Sequence, residues 1–149
     1  MQRWIAIGVL AMMLVFGAGV FGYWTYRQNQ PAPMWVEMPV NPERTDEEKE
    51  KTVKELFKQL RDPALLTKVS KDMGLAAKWK TDSDASAATE LSNRLFVKIG
   101  ESGPPMGRYP VVRIGVRGKK KERELSGQIS MRLMDDVWKI LGIKPPPGR

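Results

Sequence analysis

Residues 4–24 read WIAIGVLAMMLVFGAGVFGYW, twenty-one positions without a charged side chain, an amide or a proline. A helix of that length covers roughly 30 Å, about the hydrocarbon thickness of a bilayer. Aromatic rings that favour the membrane–water interface stand at both ends: Trp4 before the run, Tyr23, Trp24 and Tyr26 at its close. No other stretch of the chain is as apolar. The reading is a membrane anchor over residues 1–27, a polar spacer over 28–33 and a folded body beyond. The competing reading is a cleaved signal peptide, with Arg3 as its basic start and Gly17-Ala18-Gly19 as the small residues near a cleavage point. The length of the apolar run, and the large aromatics beyond those glycines, favour an uncleaved anchor. Ala18 and Gly22 form one small-xxx-small pair, a candidate packing seam between two anchors.

Charge bears on orientation and partners. The chain carries 25 Lys and Arg against 17 Asp and Glu, a net +8, and almost all of the surplus lies after the apolar run. Topology is set by basic residues close to a span. Arg3 and the terminal amine stand on one side, and Arg27 stands alone on the other, because the next basic residue is Arg44. The expectation is therefore an inner-membrane, single-pass protein with its C-terminal domain outside the cytoplasm. Cysteine and histidine are both absent. That removes disulfides, thiolate and imidazole metal ligands, and every His-dependent nucleophile arrangement. The expectation is a non-enzyme with no cofactor and no metal.

The body, residues 34–142, reads as one α+β domain of order β-α-α-α-β-β-α, one short sheet packed against helices. Met34–Met38 is a brief strand halted by Pro39. Thr45 with Glu48 forms a capping box for a helix burying Val53, Leu56, Phe57 and Leu60. Asp62-Pro63 starts a second helix, with Leu65, Leu66, Val69 and Met73 inward and Gly74 as its left-handed cap. A third helix spans Asp84–Arg94 and buries Ala88, Leu91 and Leu95. Phe96–Ile99 is a strand, Gly100–Pro110 a long loop, and Val111–Arg117 a strand with alternating Val112, Ile114 and Val116. The last helix covers Lys120–Leu141, with Leu125, Ile129, Leu133, Val137 and Leu141 on its core face. Residues 143–149 (IKPPPGR) form an exposed proline-rich tail.

One cluster stands out chemically. Lys119, Lys120 and Lys121, flanked by Arg117 and Arg123, sit where a helix begins, an end whose dipole disfavours positive charge. Such a place suits an anion: phosphate, a lipid headgroup or an acidic sugar. Arg108 and Arg113 extend the patch, Arg113 and Arg117 lying on one strand face. A solvated turn is the plainer alternative. Nucleic acid is not expected, because no recognition motif accompanies the charge. Asp82 and Asp84 read as helix caps, for no calcium-loop spacing surrounds them. Trp79 and Trp138 read as packing residues before a sugar-stacking surface. The adjacent Asp135 and Asp136 point about 100° apart on a helix and cannot share a site. The glycines of Gly100–Gly107 lack the strand-to-helix context of a nucleotide loop.

Three features together resemble the periplasmic base of bacterial polysaccharide co-polymerases, the chain-length determinant family. They are the anchor, spacer and strand Met34–Met38; the phrase LFKQLRDPALLTKVSKDMGLAAKW from Leu56 to Trp79; and Leu95–Lys98 followed after a loop by Val111–Val116. The family's second span, with its proline-rich motif, has no counterpart here, and Pro145-Pro146-Pro147 follows a helix end. The resemblance implies a reduced relative acting by homo-oligomerisation and by contact with a polymerase, other envelope-assembly proteins, the membrane, or an anionic lipid or polysaccharide. The alternative is a membrane-anchored scaffold of a secretion or pilus assembly.

Overall fold

The computed structural model describes residues 2–104 and 107–143, with side chains from Met12 onward. Arg3, Trp4 and the tail residues 144–149 therefore lie outside the described side chains, and Pro105-Met106 outside the described loop. Helix α1 runs Gln2–Gln28. Among the described residues no helix is long and apolar enough to cross a membrane. The anchor reading of α1 therefore rests on the sequence.

The rest is α+β, as expected. A three-stranded antiparallel sheet has the order β1-β3-β2, from β1 (Met34–Pro39), β2 (Leu95–Ser102) and β3 (Tyr109–Val116). Register is set by pattern: Val112, Ile114 and Val116 of β3 all turn to the helices and are fully or almost fully buried. Pro39 closes β1 on an outer edge of the sheet, where its missing N–H costs no ladder bond. Both hairpin strands outrun the expected ones. β2 continues through Gly100, Glu101 and Ser102, and β3 already begins at Tyr109, paired with Ser102. Cross-strand pairing extends the ladder through polar residues that carry no apolar alternation.

The helices follow their local signals. In α2 (Asp46–Leu60) the Thr45 hydroxyl accepts from the Glu48 N–H at 3.3 Å, and Glu48 accepts from the Thr45 N–H at 3.2 Å. In α3 (Pro63–Met73) the Asp62 carboxylate accepts from the Ala64 N–H at 3.1 Å. Gly74 ends that helix at φ 59°, the left-handed geometry that glycine adopts without a Cβ penalty. A separate short helix, α4 (Leu75–Trp79), follows and closes on Lys80 at φ 56°. α5 spans Asp84–Arg94, capped by the Ser83 hydroxyl. The final helix, α6 (Arg123–Leu141), starts three residues later than expected, behind a 3-10 turn at Lys120–Glu122. Leu141, assigned to its core face, is exposed, while Met134 is fully buried. Leu60, Leu66, Val69, Leu91, Ile129, Leu133 and Val137 join the sheet residues in one core.

Two main-chain hydrogen bonds tie the spacer that follows α1 to this body. The Ala32 N–H donates to the Gly118 carbonyl at 2.8 Å, and the Lys120 N–H to the Gln30 carbonyl at 3.0 Å, around an antiparallel bridge between Pro31 and Lys119. The buried Ser130 hydroxyl of α6 shares its one proton between the Met34 carbonyl at 3.0 Å and the Ser126 carbonyl at 2.8 Å. The polar spacer over 28–33 is thus paired to the domain.

Candidate membrane-surface site

The welded spacer brings the basic cluster to the end of α1. Glu122 fixes its shape. Its carboxylate accepts from the Lys119 N–H at 3.1 Å and pairs with Arg94 at 2.9 Å. Arg94 is held in turn by Glu90 at 2.7 Å and lies 4.7 Å over the Trp79 ring. With Glu122 turned inward, Lys119, Lys120, Lys121 and Arg123 are all left exposed. The anionic group expected at this helix start is thus supplied partly by the chain itself. Lys120 extends its ammonium to the Gln30 side-chain oxygen at 2.9 Å.

A cleft of about 640 Å³ opens between the last turn of α1 and the start of α6, lined in part by Trp24, Arg27, Met34, Trp35, Lys120 and Arg123. No carboxylate lines it. Neither Arg27, Lys120 nor Arg123 forms an ion pair among the described residues. A second, shallower cleft beside it is lined by Lys120, Lys121, Arg123, Glu124 and Gln128 among others.

The predicted patch is divided by the fold. Lys119, Lys120, Lys121 and Arg123 gather at the base, beside α1. Arg113 does not join them: it lies on the sheet face turned away from the helices, opposite Glu37 and Lys98 in the ladder. Its guanidinium pairs with Glu37 at 3.0 Å, donates to the Glu101 carbonyl at 2.8 Å and lies 5.3 Å from the Trp35 ring centroid. Arg113 is thus committed inside the domain and is withdrawn from the anion site. A hydrogen bond with the Ser102 side chain, then those with Arg113 and Trp35, hold the Glu37 carboxyl below its ordinary value against the opposing effect of burial. Arg117 is exposed on the same side of the sheet, where a slot of about 350 Å³ runs between Trp35 and Phe96. Arg108 of the hairpin loop pairs with Glu101 of β2 at 3.4 Å.

Arg27 and Trp24 are the residues that sequence reasoning left out of the site. They stand more than ninety positions before Lys120, and only the Gln30–Ala32 pairing brings the two segments together. Ala18 and Gly22 are exposed on α1, with open space around the Gly22 Cα. Trp79 and Trp138 pack against the core, as read. Neither Asp82 nor Asp84 caps α5: the Ser83 hydroxyl does, with Asp84 in the first turn and Asp82 in the turn before it. Asp136 pairs with Arg132 at 2.7 Å and Asp135 is exposed, so the two carboxylates do separate work. Among the described residues no acidic group is clustered as a metal set. Compared with known proteins, the chain matches no family model, no curated protein and no solved structure.

Proposed function

We propose that this chain is a non-enzymatic, single-pass membrane protein whose small α+β domain is held flush against the bilayer surface. The observation that carries the reading is the pairing of Gln30–Ala32 with Gly118–Lys120. It brings Lys120 and Arg123 beside Arg27 and Trp24, where the apolar run of α1 ends, with the exposed Lys119 and Lys121 next to Lys120 in sequence. Cations so placed are attracted to anionic headgroups in the adjoining leaflet, an attraction that fades within a Debye length. Topology follows cations adjacent in sequence rather than in space, so the domain is placed outside the cytoplasm. Ala18 and Gly22 give α1 a seam for self-association.

The setting proposed is envelope polysaccharide assembly, supported by the resemblance of the anchor, the Leu56–Trp79 helical pair and the β2–β3 hairpin. The protein acts there by oligomerising and by contacting a polymerase and the membrane. Three measurements test this. Alkaline carbonate should leave the chain in the membrane fraction, and a C-terminal reporter should be active only outside the cytoplasm. Deletion should alter polysaccharide length or amount. Release by carbonate removes the anchor, and co-purification with secretion components with polysaccharide unchanged replaces the setting.

A further inference from the structure

We infer that the cleft between the last turn of α1 and the start of α6 binds the phosphate of an anionic lipid headgroup. The inference rests on α1 being a membrane anchor and goes further, from general surface attraction to one site. Two properties of the cleft select the ligand. Its mouth gathers Arg27, Lys120 and Arg123, three exposed cations without an ion-pair partner among the described residues and without a lining carboxylate. A phosphate placed among them gains charge-assisted hydrogen bonds in a cleft that no described carboxylate lines. Its other wall is the helix that leads into the lipid. Residues 20 and 21 lie one turn before Trp24 on the same helical face, and Val20, Phe21 and Trp24 are all exposed. An occupant must therefore have a charged end for the cleft and an apolar part to run along α1. A lipid meets both demands, whereas a free anion or a polar polymer meets only the first.

The position of Trp24 agrees with this. An indole at the headgroup level keeps one edge wet and the other apolar, and here it stands beside the cations instead of on the far side of the helix. Trp35 and Met34 close the cleft from the domain side. The site exists only because the spacer is paired to the domain, so anchor and body build it jointly.

The test uses the full chain in zwitterionic detergent, with bound lipid counted by native mass spectrometry during titration with phosphatidylglycerol or phosphatidylcholine. Three variants are compared: Lys120→Gln with Arg123→Gln, Arg27→Gln alone, and Lys98→Gln with Arg117→Gln as a control of equal charge on the sheet side. The expected result is saturable retention of about one phosphatidylglycerol. The affinity falls by about tenfold in the second variant and by more in the first, as charge-assisted hydrogen bonds to the phosphate are lost, and less than twofold in the control. Arg27→Gln leaves the domain untouched, so its loss of affinity is independent of folding. Equal retention of phosphatidylcholine, equal losses in the control, or displacement by inorganic phosphate at the same concentration as lipid would each overturn the site. Carbonate extraction reports separately on the anchor, so either idea can fail alone.

Discussion

Two glycines, both replaced by alanine, are expected to move stability in opposite directions. A Cβ at Gly115 of β3 would lie 2.8 Å from the Trp35 Cα and 2.8 Å from its Cβ, with the Met34 carbonyl oxygen closer still. Backbone stands on the far side of that contact, so no flexible side chain can yield. Restoring ordinary contact needs β1 to move by about 1 Å, and overpacking of this kind costs about 1–3 kcal/mol. The upper half of that range applies, since β1 also carries the Ser130 and Gln30–Ala32 attachments. For a domain of roughly 110 residues 1 kcal/mol shifts Tm by about 4 °C, so Gly115→Ala should lower it by about 10 °C. Gly127 in α6 is the counterpart. Its Cβ would meet only the Met34 methyl, at 3.7 Å, an ordinary contact. There alanine removes the cost of glycine inside a helix, about 0.5–1 kcal/mol, and Tm should rise by about 2–4 °C. The assay is thermal unfolding of the full chain in detergent, followed by near-UV circular dichroism so that Trp35 reports on the sheet. A Gly115→Ala protein within 2 °C of the parent would refute the close approach of β1 to β3, and a destabilised Gly127→Ala would refute the space assigned to α6.

Two buried hydroxyls make a second contrast. Ser70 is fully buried and its hydroxyl has no hydrogen-bond partner among the described residues, so Ser70→Ala should stabilise by about 1 kcal/mol. Ser130→Ala loses the proton shared between the Met34 and Ser126 carbonyls and should destabilise by about the same amount or more, with chemical denaturation reading both. The Glu37 carboxyl, held below its usual value of 4.5, contributes stability that is present above that value and lost as pH falls through the lowered one. The urea midpoint of the parent should therefore drop below about pH 4.5 more steeply than that of Glu37→Gln; parallel acid limbs would remove the linkage.

Local chemistry was legible in the sequence. The Thr45–Glu48 box, the Asp62-Pro63 start and the Gly74 cap each depend on atoms a few residues apart, and all three formed as read. α5 took the expected bounds for the same reason. What escaped was decided by distant partners. The division of Leu75–Trp79 from α3 needs left-handed backbone at both Gly74 and Lys80, and lysine gives no warning of it. The extension of β2 and β3 through Gly100–Ser102 and Tyr109-Pro110 depends on pairing between strands. The strand order β1-β3-β2 has no signature in hydropathy. At the candidate site the cations at Lys119–Lys121 and Arg123 were visible as a run, but not their neighbour Arg27. Arg113 looked like part of that run because alternation places it beside Arg117; its capture by Glu37 is a cross-strand event between residues 76 positions apart.

The bridge at Pro31–Lys119 also governs how motion passes through the molecule. β1 lies against β3, the middle strand, and six residue pairs tie them. A pull on the spacer along β1 loads those rungs side by side instead of peeling them singly, so force entering through the spacer is shared across the sheet.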